Sequence, residues 1–186
     1  MTGMNTPSYY RYLADCLHLG DTIVYPTEAV WGLGCDPADQ AAVAKLCAIK
    51  GRDAGKGLIL IAAKAAHLQV WLPHLSIEQL NALQSDGRHP TTYVIKHQGN
   101  VPTWVSGGRS TVAVRLTDHC AVATLCDAFE GAIVSTSANY SGNQSTTMRG
   151  QVAKYFKSLS IAPGELGCAT RPSTIINFDT KQVLRK

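Results

Sequence analysis

The chain has no long apolar run. Its longest, Gly57 to Ala63 (GLILIAA), is far below the ~20 residues that a bilayer crossing needs. A membrane-spanning helix is therefore excluded. No basic start followed by an apolar block opens MTGMNTPSYYRYLADC, so no secretory signal is expected. The six cysteines, at 16, 35, 47, 120, 126 and 168, contain no C-x-x-C pair. In a chain of this size they read as unpaired thiols of a cytoplasmic protein. The six histidines show no HExxH spacing, so a zinc site is not expected. Nothing repeats, and no stretch is low in complexity. Charge is also scarce, 16% against a usual ~25%. With 17 basic and 13 acidic residues, the net charge of +4 suits an anionic ligand without demanding nucleic acid.

What is present is enough for a core. Hydrophobic residues make up 45% of 186. A chain this apolar and weakly charged is not disordered. A single domain over 1–186, burying roughly 70% of its unfolded surface, is expected.

Periodicity places the elements. Tyr9, Tyr12, Leu13, Cys16 and Leu17 recur at helical spacing before Gly20. Thr22 to Tyr25 reads as a short buried strand ending at Pro26. Asp39 to Ile49 reads as a helix, Leu58 to Ala62 as a strand, and Ser76 with Gln79 as a capping box. Thr92 to Lys96 and Val112 to Leu116 read as strands. Asp118 to Phe129 reads as a helix, Ala132 to Thr136 as a strand, Gln151 to Lys157 as a helix, and Ser173 to Phe178 as a last strand. Strands alternating with helices predict an α/β sheet with helices packed on it. Val94 to Val114 holds two strands with no helix between them, which predicts a mixed sheet.

Three polar, glycine-bearing segments stand at element ends, where α/β sheets bind ligands. The first is Tyr25-Pro-Thr-Glu-Ala-Val-Trp-Gly-Leu-Gly34. Thr27 and Glu28 follow a strand end, and Gly32 and Gly34 permit a tight return. The segment reads either as a ligand-reading turn or as a capped turn. The second is Lys50-Gly-Arg-Asp-Ala-Gly-Lys56-Gly57. Three cations and three glycines suit an anion cradle or, equally, a solvated basic loop. It is not a P-loop: only three residues separate the glycines, and Gly57 stands where a hydroxyl is required. The third is Ile133-Val-Ser-Thr-Ser-Ala-Asn-Tyr-Ser-Gly142. Five hydroxyl or amide side chains in seven residues exceed the needs of a turn and suit a wall for phosphate, ribose or an amino acid. Arg115 ends an apolar strand, so it needs a partner: a ligand carboxylate or phosphate, or structurally Asp118 or Glu28. Tyr9, Tyr10 and Tyr12 read as a helix face on the core, not a stacking platform.

Taken in order, VYPTEAVWGLG (24–34), KGR…KGLILI (50–61), VAVRLTDH (112–119), STSANYSG (135–142) and PSTII (172–176) resemble the short YrdC-like (TsaC) family of threonylcarbamoyl-AMP synthases. The resemblance covers almost the whole chain. The extra C-terminal domain of the long form is not expected. It implies a twisted open mixed sheet around a basic concave groove. It also implies an enzyme, a nucleotidyltransferase, that makes L-threonylcarbamoyladenylate and pyrophosphate. The substrates would be L-threonine, bicarbonate or CO2, and ATP with Mg2+. A tRNA-modifying transferase complex would then deliver the group to tRNA. By position, Lys50 and Arg52 match the family's catalytic pair facing the phosphates. Thr27, Arg115, Ser135 and Ser173 match the L-threonine end. Lys56, Ser137, Asn139 and Ser145 join Lys50 and Arg52 on the ATP side. Glu28 is a candidate outer metal ligand or base, although Mg2+ is expected mainly on phosphates and water.

Two departures stand out. Asp53 replaces the proline of the family's KxRP, and Gly87-Arg-His-Pro-Thr-Thr92 keeps only Pro90 and Thr92 of the family's WPGP-x-T. Arg88 or His89 is the candidate replacement contact there. Competing readings are an RNA-binding or ribosome-maturation module using tRNA or other RNA, and a degenerate nucleotide-binding paralogue.

Overall fold

A computed structural model describes residues 6–85 and 87–185. Helix α1 (Thr6–His18) presents Tyr10, Leu13, Ala14, Cys16 and Leu17 as a buried stripe. Strand β1 (Ile23–Pro26) returns at once as β2 (Trp31–Gly34). Helix α2 (Gln40–Lys50) starts where the Asp39 carboxylate accepts from Ala41 N and Ala42 N, and ends at Gly51 in the left-handed region. A single 3-10 turn, Ala54–Lys56, leads into β3 (Ile59–Ala62). There follow α3 (Ala65–Gln69), α4 (Ile77–Asn81), β4 (Thr91–Lys96), α5 (Thr103–Ser106) and β5 (Thr111–Leu116). The chain ends with α6 (Cys120–Phe129), β6 (Ile133–Ser137), α7 (Arg149–Tyr155), β7 (Ser160–Ile161), β8 (Thr174–Asn177) and β9 (Val183–Arg185).

The nine strands among the described residues form one sheet in the order β7-β1-β2-β6-β3-β5-β4-β8-β9. It is mixed, as the sequence predicts. The β7–β1, β3–β5 and β4–β8 pairs are parallel and the rest antiparallel. One turn of helix, α5, does lie between β4 and β5, contrary to the expectation of none. It is too short to force a parallel crossover, and β4 and β5 pair antiparallel.

Side-chain alternation divides the sheet into two faces. Leu60 and Ala62 of β3, Val112, Val114 and Leu116 of β5, and Val134 of β6 enter one core with α2 and the α3–α4 region. Ile61 and Ile133 enter a second core, closed by α1 and α6 together with Ile23 and Tyr25. Each buried leucine or isoleucine contributes about 1.5–3 kcal/mol. The two helices cover only part of this second face. Ile59, Ala113, Arg115, Ser135 and Ser137 share its direction but lie beyond the helices, so the rest of the face is open.

Gly32 and Gly34 do not make the expected tight return. They lie inside buried β2 and leave room for the Tyr25 ring. A Cβ on Gly34 would sit 2.8 Å from Tyr25 Cε1 and 2.8 Å from the Val134 carbonyl oxygen, and one on Gly32 3.0 Å from Tyr25 Cζ. The Val134 carbonyl belongs to a strand and cannot swing aside. Gly34→Ala is therefore expected to cost roughly 2 kcal/mol by overpacking, read as a lower urea midpoint. An unchanged midpoint would show that the sheet yields there.

Candidate active site

The open half of the second face is the floor of a cleft of about 530 Å3. β3, β5 and β6 supply Ile59, Ala113, Arg115, Ser135 and Ser137 to it. Thr27, Ser145, Pro172 and Ser173 line its sides. Five cationic side chains, Arg52, Lys56, Arg109, Arg115 and Arg185, face it, and no aspartate or glutamate does among the described residues.

Three of these cations are gathered at one end by glycine. The turns at 55–57 and 106–108 pack backbone to backbone: Leu58 N donates to Val105 O at 2.9 Å. A Cβ on Gly107, whose φ is 66°, would meet Gly55 O at 2.7 Å. This contact brings Arg109 beside Arg52 and Lys56. Arg52 donates Nη2 to Gly57 O at 2.7 Å, while its buried Nε has no acceptor. Burial pulls the Arg52 pKa below its ordinary value, and Arg109 adds like-charge repulsion. A guanidinium remains charged at neutral pH nonetheless. A crowded pair of arginines with an unmet donor is built for an anion. Asp53, in place of the family's proline, caps the intervening turn by accepting from Gly55 N at 2.9 Å. Arg109 and Arg185 escape the sequence reading. The signal for Arg109 was available, since Ser-Gly-Gly-Arg-Ser has the composition of the 50–57 loop.

Lys50 stands behind the lining, against Ser137 and Asn139. It is only 3% exposed and does not line the cleft. Its ammonium donates to Ser137 O (2.5 Å), Asn139 O (2.7 Å) and Asn139 Oδ1 (3.0 Å), with Ser137 Oγ at 3.4 Å. Burial, aided by Arg52, pushes its pKa down to about 8. Lys50 is thus a strut between the end of α2 and the exit of β6. Asn139 belongs to the same knot: its Nδ2 donates to Asn143 O at 2.6 Å, and it too lies outside the lining. The turn they hold presents Ser137 and, further on, Ser145 to the cleft.

The other end is built on Arg115. Strands β3 and β5 pair in register, Ile59 with Ala113 and Ile61 with Arg115. Arg115 therefore lies about 13 Å along the sheet from the level of Gly57. Its guanidinium pairs with Glu28, which is 2% exposed and also accepts from Thr117 Oγ1 at 2.5 Å. Of the two structural partners open to Arg115, Glu28 is the one used. That pairing removes Glu28 from the cleft surface and from the role of outer metal ligand or base. Around Arg115 stand hydroxyls. Ser173 Oγ and Thr92 Oγ1 share a 2.8 Å hydrogen bond, Ser135 Oγ accepts from Tyr25 at 2.6 Å, and Thr27 Oγ1 donates to Val30 O at 2.7 Å. Arg88 and His89 are exposed and outside the lining. Among the described residues no cluster of three or more His, Cys, Asp or Glu forms a metal site.

A basic concave groove on the open face of a mixed α/β sheet, cationic at one end and hydroxyl-lined at the other, defines the class. The chain belongs to the Sua5/YciO/YrdC family, whose model, described as "Telomere recombination", matches residues 15–186. Its relatives include the threonylcarbamoyl-AMP synthase of Halorhodospira halophila, 44% identical over 97% of this chain and 95% of that one. Another is the threonylcarbamoyl-AMP synthase of Alkalilimnicola ehrlichii, 42% identical over 97% of each. Among solved structures, P. abyssi Sua5 complexed with L-threonine superposes with a TM-score of 0.78 at 30% identity. It is matched over 92% of this chain, which spans about half (51%) of that protein's length. E. coli YciO, at 22% identity and a TM-score of 0.79 over 97% of this chain and 89% of that one, shares the fold. No helix among the described residues is long and apolar enough to cross a membrane.

Proposed function

We propose that this chain is a threonylcarbamoyl-AMP synthase. It joins L-threonine, bicarbonate or CO2, and ATP into L-threonylcarbamoyladenylate and releases pyrophosphate. The observation that carries the reading is one continuous cleft with two unlike ends. Arg52, Lys56 and Arg109 suit a triphosphate. Arg115, with Thr27, Ser135 and Ser173, suits an amino acid.

The chemistry follows from that layout. The threonine nitrogen attacks the carbon of CO2 and sheds a proton, leaving a carbamate. A carbamate oxygen then attacks the α-phosphorus, and the bond from that phosphorus to the bridging oxygen breaks as pyrophosphate leaves. No covalent enzyme intermediate is needed. The protein holds two anions that repel each other and spreads the charge of the transition state. Arg52 and Arg109 offset the departing pyrophosphate. Arg115 holds the threonine carboxylate, and Ser137 orients the nucleotide. With no carboxylate in the lining, Mg2+ would enter with ATP, on phosphate and water oxygens. The product would pass to a transferase complex acting on tRNA. Reading the groove as an RNA surface has less support. Among the described residues its one lining aromatic, Trp31, is 2% exposed and offers no stacking platform.

Pyrophosphate release should require threonine and bicarbonate together and should fall at least tenfold with serine. Equal ATP consumption without an amino acid would overturn the substrate assignment.

A further inference from the structure

The two ends of the cleft must hold different molecules, yet both carry arginine. ATP is a polyanion that two cationic ends could equally attract. What separates them is an acid below the surface. We propose that Glu28 is a specificity-determining positioning residue: its buried carboxylate offsets Arg115, so that this end admits a zwitterionic amino acid and turns away phosphate groups. The inference rests on the synthase reading and deepens it.

Glu28 is fixed from every side. One carboxylate oxygen meets the Arg115 guanidinium, and the other accepts from Thr117 Oγ1 at 2.5 Å. Its main chain is tied down by Gly167 N donating to Thr27 O and Ala169 N donating to Glu28 O, both at 3.0 Å. A Cβ on Gly167 would stand 2.9 Å from Glu28 Cα, so that strap leaves no room for withdrawal. Thr117 is fully buried and lies outside the cleft lining. The other titratable group beside Glu28 is His119, which burial pulls below its ordinary pKa and so keeps neutral at neutral pH. Arg115 and Glu28 therefore offset each other, and Arg185, the other cation at this end, spends Nη2 on Ser173 O at 3.0 Å.

A zwitterion meets that pair without net repulsion. Its carboxylate finds a guanidinium that the ion pair already holds in the cleft wall, which lowers the ordering cost of binding. A phosphate gains little from a cation already neutralised, and it meets the Glu28 charge as a repulsive element. At the opposite end, Arg52, Lys56 and Arg109 have no acid beside them in the lining among the described residues, and there the polyanion wins.

The test measures the KM for threonine and the inhibition constant of inorganic phosphate competing against threonine. Glu28→Gln should raise the threonine KM at least tenfold and strengthen phosphate inhibition at least fivefold, with the KM for ATP within about twofold of wild type. A residue that only supports the fold would weaken threonine, phosphate and ATP together, and that result would overturn the proposal. So would a variant indistinguishable from wild type. Leaving Arg115 buried without its partner could unfold the chain. The paired change Glu28→Gln with Arg115→Gln removes both charges and covers that case. It should lose threonine without gaining phosphate inhibition, and a gain there would overturn the proposal. Thr117→Val keeps the charge but loosens its aim. It should raise the threonine KM about threefold and leave phosphate inhibition unchanged, while Thr117→Ser should restore threonine binding. A wild-type protein with no threonine-dependent turnover would instead overturn the synthase reading, and the inference with it. That outcome is seen before any variant is made.

Discussion

Arg52→Ala is expected to lower kcat/KM for ATP by about a thousandfold while the protein stays folded, the scale on which charge-stabilising groups act in phosphoryl transfer. The expectation rests on placement. Arg52 lines the cleft, has an unmet buried donor, and stands beside Arg109 with no acid in the lining between them. Its structural duty is a single hydrogen bond to Gly57 O. Losing a bond of that kind costs on the order of 1 kcal/mol, too little to unfold a domain of this size. Arg52→Lys should recover only part of the rate, because one ammonium cannot replace a guanidinium fork. Turnover within tenfold of wild type in Arg52→Ala would remove the cationic end from the mechanism.

Lys50→Ala is expected to fail differently, although Lys50 and Arg52 look like a matched pair in the sequence. Its ammonium satisfies Ser137 O, Asn139 O and Asn139 Oδ1, all on the turn that leaves β6. Removing it leaves Asn139 O without a donor and takes the charge-assisted bonds from Ser137 O and Asn139 Oδ1, which keep only Asn139 N and Ser137 Oγ, at a cost of roughly 3 kcal/mol. The thermal midpoint should fall by about 10 °C, and the KM for ATP should rise as Ser137 loses its place. Loss of activity with an unchanged midpoint would instead make Lys50 a direct phosphate ligand. Acidity offers a second check. Burial and Arg52 bring Lys50 down to about 8. Raising the pH through that value removes the positive charge that grips the turn, so the KM for ATP should climb above pH 8. A flat profile from pH 7 to 9.5 would contradict the strut.

Several strands are legible in the sequence, because apolar runs such as Leu58–Ala62 and Val112–Leu116 leave few alternatives, but their order in the sheet is not. Nor is β2. Its Trp-Gly-Leu-Gly pattern resembles a turn, and only the Tyr25 ring packed across it explains glycine inside a strand. The helix after Ser76 is capped as predicted, but it lasts five residues, since a cap fixes a start and not a length. Charge told less than position. The sequence shows that Lys50, Lys56 and Arg52 are cations near glycine. It does not show that Lys50 points inward against carbonyls while Lys56 stays in the cleft. Arg185 was invisible for a related reason: β9 must first fold back beside β8 to bring it to Ser173 O. Glu28 was noticed, but a buried partner and a surface ligand have the same spelling.

The paired registers of β3 and β5 carry one more consequence. The stretch from the start of β3 to the level of Arg115 is counted in whole residues of two hydrogen-bonded strands. A slip of a single residue would turn Arg115 to the opposite side of the pleat. The gauge can therefore be lengthened or shortened only by two residues at a time, about 7 Å, more than the length of a carbamate. Loop insertions can reshape the rim, but they leave that ruler as it is.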